Sequence, residues 1–201
     1  MPPTRVVYGI GDSLIGKDHW ASQPLFHLRA MAGDSVRFKA QGISGDRTAH
    51  VAARLDRDVI EQSPKPDVCI VLAGTNDIAW DAPATLITGN LEVIYRKLLD
   101  ARIQPVAVSI YPFGGPRWWT PALELTRQQV RTWMHRWLPV ELPEVEVVDV
   151  DDVIADLTDP QRPRIRAEYV DAEGIHLNSA GAAAVASALW TRARALRGIQ
   201  G

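Results

Sequence analysis

Five short apolar runs rich in β-branched residues recur along the chain, at residues 6–10, 36–40, 68–72, 106–110 and 145–148. Continuous runs of this length predict buried strands. Between them, apolar residues fall three or four apart, the spacing of an amphipathic helix: Val51, Leu55 and Val59, then Ile87, Leu91, Ile94 and Leu98, then Val130, Met134 and Trp137. A last helix is expected to begin after Asn178, a good N-cap, and to end before Gly198. Its Ala182, Ala183, Ala184, Ala186 and Ala188 would let it lie close against a sheet. Strands alternating with helices predict right-handed βαβ units, hence an α/β fold with a mostly parallel sheet covered on both faces. The longest irregular stretches are 112–121 and 158–178. In such sheets ligands bind beyond the carboxyl ends of the strands, so the loops there are the first place to look for chemistry.

A length of 201 residues suits one domain over 1–201, large enough to bury a core without a metal or disulfide staple. With 46% hydrophobic and 23% charged residues the chain is ordinary globular material, which excludes a disordered or fibrous protein. A net charge of −2 argues against a surface built to grip nucleic acid or an anionic membrane. The lone cysteine, Cys69, excludes an internal disulfide framework and a four-cysteine zinc site, and inside an apolar run it reads as core. No stretch reaches the ~18 apolar residues of a membrane span. The opening apolar run is too short for a signal peptide, so the cytoplasm is the expected location. Oligomeric state is left open. One count is out of line: 7 Trp against 3 Phe and 4 Tyr, although indole N–H groups need partners in a core.

After the first run comes Gly9-Ile10-Gly11-Asp12-Ser13-Leu14-Ile15-Gly16-Lys17-Asp18. A dinucleotide fingerprint fails at Leu14, where a third glycine belongs. A phosphate loop fits from Gly11 to Lys17 and then fails at Asp18, which offers no hydroxyl to magnesium. A better fit is a serine at the turn after a parallel strand, which becomes a nucleophile if a base and an oxyanion site are near. Three further loops supply candidates. Gly42-Ile43-Ser44-Gly45-Asp46 follows the second run, and Gly45 could turn a bare N–H toward a ligand. Gly74-Thr75-Asn76-Asp77 follows the third, and Asn76 offers an amide donor. Asp171-Ala172-Glu173-Gly174-Ile175-His176 precedes the last helix, with His176 placed to act as a base. His19, His27, His50 and His135 lie in helical or flanking polar patterns and read as surface or packing residues. Each loop alone is also ordinary turn chemistry.

Together these blocks resemble the GDSL or SGNH hydrolases, over nearly the whole chain and in the right order. Gly11-Asp12-Ser13-Leu14 matches the nucleophile block, Ile43-Ser44-Gly45-Asp46 the second, Gly74-Thr75-Asn76-Asp77 the third, and Gly174-Ile175-His176-Leu177-Asn178 the last. The resemblance implies a flavodoxin-like three-layer α/β/α fold with a five-stranded parallel sheet, no metal and no organic cofactor. It implies Ser13 as nucleophile, His176 as base, and an oxyanion hole of Ser13, Gly45 and Asn76. One position departs: the family has Asp three residues before the histidine, and here that residue is Glu173. Its spacing makes Glu173 the expected triad acid, with Asp171 in reserve, since Glu replaces Asp in some triads.

The expected function is therefore a serine ester hydrolase, of carboxylesterase, acetylesterase or lipase type, acting on a small-molecule ester through an acyl-enzyme. An acyltransferase would use the same residues. A P-loop-like nucleotide binder or a non-catalytic binding module fits the motifs less well. The tryptophans divide accordingly. Trp20, Trp133, Trp137 and Trp190 read as packing or helix-surface residues. Trp80, Trp118 and Trp119 fall in loops at the functional end of the sheet and are the candidate substrate-binding residues. Arg162, Arg164 and Arg166 read as a solvated run.

Overall fold

A computed structural model describes residues 5–16, 20–116 and 118–198. Lys17, Asp18 and His19, on which the phosphate-loop reading and one histidine assignment turned, lie outside the described residues. Five parallel strands form the central sheet: β1 (Arg5–Gly11), β2 (Val36–Gly42), β3 (Val68–Leu72), β4 (Gln104–Val108) and β5 (Glu146–Val148), in the order β2-β1-β3-β4-β5. The connecting helices are α1 (Pro24–Ala32), α2 (Thr48–Leu55), α3 (Thr75–Ala79), α4 (Ala84–Asp100) and α5 (Pro121–Thr132). After them come α6 (Leu138–Glu141), α7 (Asp151–Ile154), α8 (Ser179–Arg192) and α9 (Arg194–Arg197). A two-stranded antiparallel pair, β6 (Ala155–Asp156) and β7 (Arg164–Ile165), lies beside the main sheet. The expected three-layer architecture and five-stranded parallel sheet are what the structure has.

Alternation along the strands builds two cores, one on each face of the sheet. Val68, Ile70 and Leu72 of β3 join Leu25 and Leu28 of α1 and Ala182, Val185 and Ala186 of α8. Cys69 and Val71 point the other way, against Val51 and Leu55 of α2 and Ile87, Leu91 and Ile94 of α4. Burial pushes the Cys69 thiol well above its ordinary range, as its place in a dry strand requires. The alanine-rich face of α8 packs on α1, and Asn178 caps the helix by accepting the Gly181 N–H at 3.0 Å.

Strand ends shift by a residue or two from the sequence pattern, and the larger departures are in β4 and the last helix. The fourth strand starts and ends two residues early, and just past its end the Ser109 hydroxyl lies 3.1 Å from Asp149 Oδ1 and accepts the Val150 N–H at 3.1 Å. The last helix breaks at Ala193, in extended conformation, before a short final turn. No helix among the described residues is long and apolar enough to cross a membrane.

Candidate active site

The turn that carries Ser13 is set by a close approach of two strands. A Cβ on Gly11 would lie 1.8 Å from the Leu72 carbonyl oxygen, so only glycine lets β1 leave the sheet beside β3 at this point. Asp12 follows with its side chain inward, accepting the Leu14 N–H at 2.9 Å and closing the turn that presents Ser13. Burial raises the Asp12 carboxyl from 3.8 to about 7; the Leu14 N–H opposes the rise, and the neighbouring Asp77 and Asp46 charges add to it. Its second oxygen has no hydrogen-bond partner among the described residues.

Ser13 Oγ lies 2.9 Å from His176 Nε2, across 163 residues of sequence. The histidine is held by a tight loop closed by the bridge between Val170 and Leu177. Asp171 Oδ1 organises that loop, accepting the N–H groups of Glu173 (3.1 Å), Gly174 (3.0 Å), Ile175 (3.4 Å) and His176 (3.3 Å). Its other oxygen faces His176 Nδ1 at 3.4 Å, and Glu173 Oε2 faces the same nitrogen at 3.5 Å. Both contacts are longer than a tight N–H···O bond. These three side chains also form a group that could hold a cation, with one ligand atom each within 4.8 Å of the others.

The turn after β2 and the start of α3 meet above the sheet. Asn76 Nδ2 donates to the Asp46 carbonyl at 3.0 Å, which ties it to the residue after Gly45. Asp77 receives the Thr48 N–H at 2.8 Å and the Thr48 hydroxyl at 2.7 Å, anchoring α2 to the same place. Beneath lies Arg54, which the sequence reading did not single out. Its guanidinium donates to the Gly11 and Gln41 carbonyls at 2.8 Å each and to Asp46 Oδ2 at 2.7 Å. One buried cation thus joins the ends of β1 and β2 to the Gly45–Asp46 turn. The signal was its position between Val51 and Leu55, on the buried stripe of α2.

A cavity of about 550 Å³ opens beside the serine, lined by Ser13, Trp20, Ser22, Gln23, Ser44 and His176 among others. Trp20, read from the sequence as a packing or helix-surface residue, thus also lines the cavity. Trp80, Trp118 and Trp119 do not line it. Trp80 is 75% exposed at the end of α3. Trp118 stacks at a tilt on Phe113, with ring centroids 5.8 Å apart. Trp119 packs against the core of the α2 and α4 face with the Arg162 guanidinium 5.1 Å from its ring centroid. The arginine run is not solvated throughout: Arg162 donates to the Gly114 and Pro116 carbonyls and Arg166 to the Ala155 carbonyl. Away from the site, His27 meets the Ala21 carbonyl, His50 closes the first turn of α2, and His135 pairs with Asp149.

The family model described as GDSL-like lipase/acylhydrolase matches residues 6–184. Solved structures share the fold at low identity. A member of the lipolytic G-D-S-L family from Veillonella parvula superposes with a TM-score of 0.73 at 16% identity, covering 92% of this chain and 96% of that one. A GDSL-like lipase from Bacteroides thetaiotaomicron gives 0.71 at 15%, covering 92% and 86%. An acetyl xylan esterase gives 0.71 at 17%, covering 92% and 98%. Among curated proteins no significant sequence match is found.

Proposed function

Because the chain belongs to the GDSL-like lipase/acylhydrolase family, we propose that it hydrolyses esters through an acyl-enzyme on Ser13. The observation that carries this reading is the 2.9 Å contact between Ser13 Oγ and His176 Nε2 at the edge of an open cavity. With its Nδ1 proton directed at the two carboxylates, the imidazole has a free lone pair on Nε2. It takes the hydroxyl proton as Oγ attacks the ester carbonyl carbon. The carbonyl electron pair moves onto oxygen, and that oxyanion accepts the N–H groups of Ser13 and Gly45 and an amide hydrogen of Asn76. Each such donor is worth about 3 kcal/mol at the transition state. The intermediate then collapses, the carbon–alkoxide bond breaks, and the imidazolium returns its proton to the departing alcohol. A water molecule repeats the sequence on the acyl-Ser13 ester and releases the acid.

Glu173, three residues before the histidine, and Asp171 share the task of triad acid from the same side of the ring, and the less exposed Asp171 carries the larger part. The bulk of the substrate sits against Trp20. Trp80 and Trp118 remain for parts of a larger ester that extend past the cavity. The test is turnover of an activated short-chain ester with an added acceptor alcohol. Hydrolysis that depends on Ser13 and exceeds transfer supports the reading, transfer in excess of hydrolysis makes the protein an acyltransferase, and turnover unchanged in Ser13→Ala overturns both.

A further inference from the structure

The loop after β4, Pro112-Phe113-Gly114-Gly115-Pro116, passes between two other segments at backbone distance. On one side the Gly114 N–H donates to the Pro163 carbonyl at 2.8 Å, and a Cβ on Gly114 would lie 2.5 Å from that same oxygen. On the other side a Cβ on Gly115 would lie 2.6 Å from the Gly174 carbonyl oxygen and 3.0 Å from its Cα. Gly174 is the residue after Glu173 and two before His176. Its own φ of +80° and its N–H bond to Asp171 Oδ1 make it the turning point of the acid–histidine loop. Arg162 fastens the arrangement, bridging the Gly114 and Pro116 carbonyls while its guanidinium covers Trp119.

We infer that Gly115 and Arg162 are positioning residues for the acid–histidine loop: the glycine pair is a spacer of fixed thickness against which Gly174 rests, and Arg162 with Trp119 holds the spacer in place. This rests on the Ser13–His176 reading above. The carboxylate contacts to Nδ1 are already 3.4 and 3.5 Å, so the loop has little room to retreat before they are lost. A methyl group at 115 falls roughly 1 Å short of ordinary contact with Gly174 and must push it away. Misplacement on that scale costs about a hundredfold in rate, even when the change is outside the reacting groups.

The experiment compares Gly115→Ala, Arg162→Ala and Arg162→Lys with the wild type by steady-state kinetics. In parallel, hydrogen exchange is followed at the amides of residues 173–176. Gly115→Ala and Arg162→Ala are expected to lower kcat ten- to a hundredfold with KM within twofold, and to speed exchange at those amides. Arg162→Lys, which keeps one donor, should recover part of kcat. Unchanged kcat and exchange in a folded Arg162→Ala protein would overturn the inference. So would a proportional loss of kcat and rise of KM, which marks general loosening. Exchange is also read in Ser13→Ala, so the loop result stands apart from failure of the esterase reading.

Discussion

Replacing Glu173 and Asp171, singly and together, separates the ways the imidazolium can be stabilised. Their oxygens lie 3.5 and 3.4 Å from His176 Nδ1, so distance does not choose between them. At that range a full charge pair gains about 5 kcal/mol at an effective dielectric of ~20 and about 1 kcal/mol at that of water. Exposure decides where each falls. The Glu173 side chain is 75% exposed and lies near the water limit, whereas Asp171 at 32% lies between the two. Glu173→Gln is therefore expected to lose about 1 kcal/mol, five- to tenfold in kcat, because Asp171 still faces the ring. Asp171→Asn is expected to lose roughly 2–3 kcal/mol, about thirty- to a hundred-and-fiftyfold, while its remaining carbonyl oxygen still accepts the loop N–H groups. With both gone, nothing fixes the tautomer or offsets the imidazolium charge, and the loss should approach ~10⁴, more than the product of the singles. The assay is kcat on a short-chain activated ester, normalised to sites titrated with a fluorophosphonate. A Glu173→Gln enzyme as poor as the double variant would refute shared action and make Glu173 the sole acid. An equally poor Asp171→Asn enzyme would give that role to Asp171.

Three other changes probe separate parts of the account. Trp20→Ala removes one wall of the cavity and should raise KM about tenfold, the scale of a lost apolar contact in a pocket; Trp80→Ala serves as the control, and equal effects would count against the placement of the substrate. Arg54→Met leaves the Asp46 carboxylate and two strand-end carbonyls without their donor, and should cost about 3 kcal/mol of stability in denaturant unfolding; a loss under 1 kcal/mol would mean that Arg54 does not join the two strand ends. Asp12 carries a pH signature. Its carboxyl is raised from 3.8 to about 7, so the folded state holds this proton more tightly than the unfolded chain. That contribution is complete below pH 3.8 and is lost as pH rises through about 7. At ~1.4 kcal/mol per unit the loss is about 4 kcal/mol. Asp12→Asn should therefore gain in stability relative to wild type between pH 4 and pH 8, and thermal melts that track each other across that range would contradict the assignment.

The parallel sheet was legible because five buried runs are separated by helical spacing, and that topology alone sends Ser13, Gly45 and Asn76 to one end. His176 stood out only together with the other three loops, since on its own its surroundings are ordinary turn chemistry. What pattern could not convey was three-dimensional reuse of ordinary residues. Arg54 looks like a helix-surface charge until the ends of β1 and β2 bring carbonyls to it. Trp20 sits near a helix start, and only the packing of α1 beside the β1 turn carries it to the cavity. Arg162 belongs to a basic run whose members part company once β6 and β7 pair: Arg162 and Arg166 find backbone carbonyls and Arg164 the Asp156 carboxylate. Just past the end of β4, Ser109 meets Asp149, 40 residues away, a contact that no local pattern contains.

On the proposed mechanism Ser13 becomes covalently acylated with His176 as its base. Peptide mass spectrometry after brief reaction with a fluorophosphonate tests it most directly. An adduct is expected on the Ser13 peptide, forming at least a hundredfold more slowly in His176→Ala and absent in Ser13→Ala. An adduct on another residue, or labelling of Ser13 that is indifferent to His176, would contradict it.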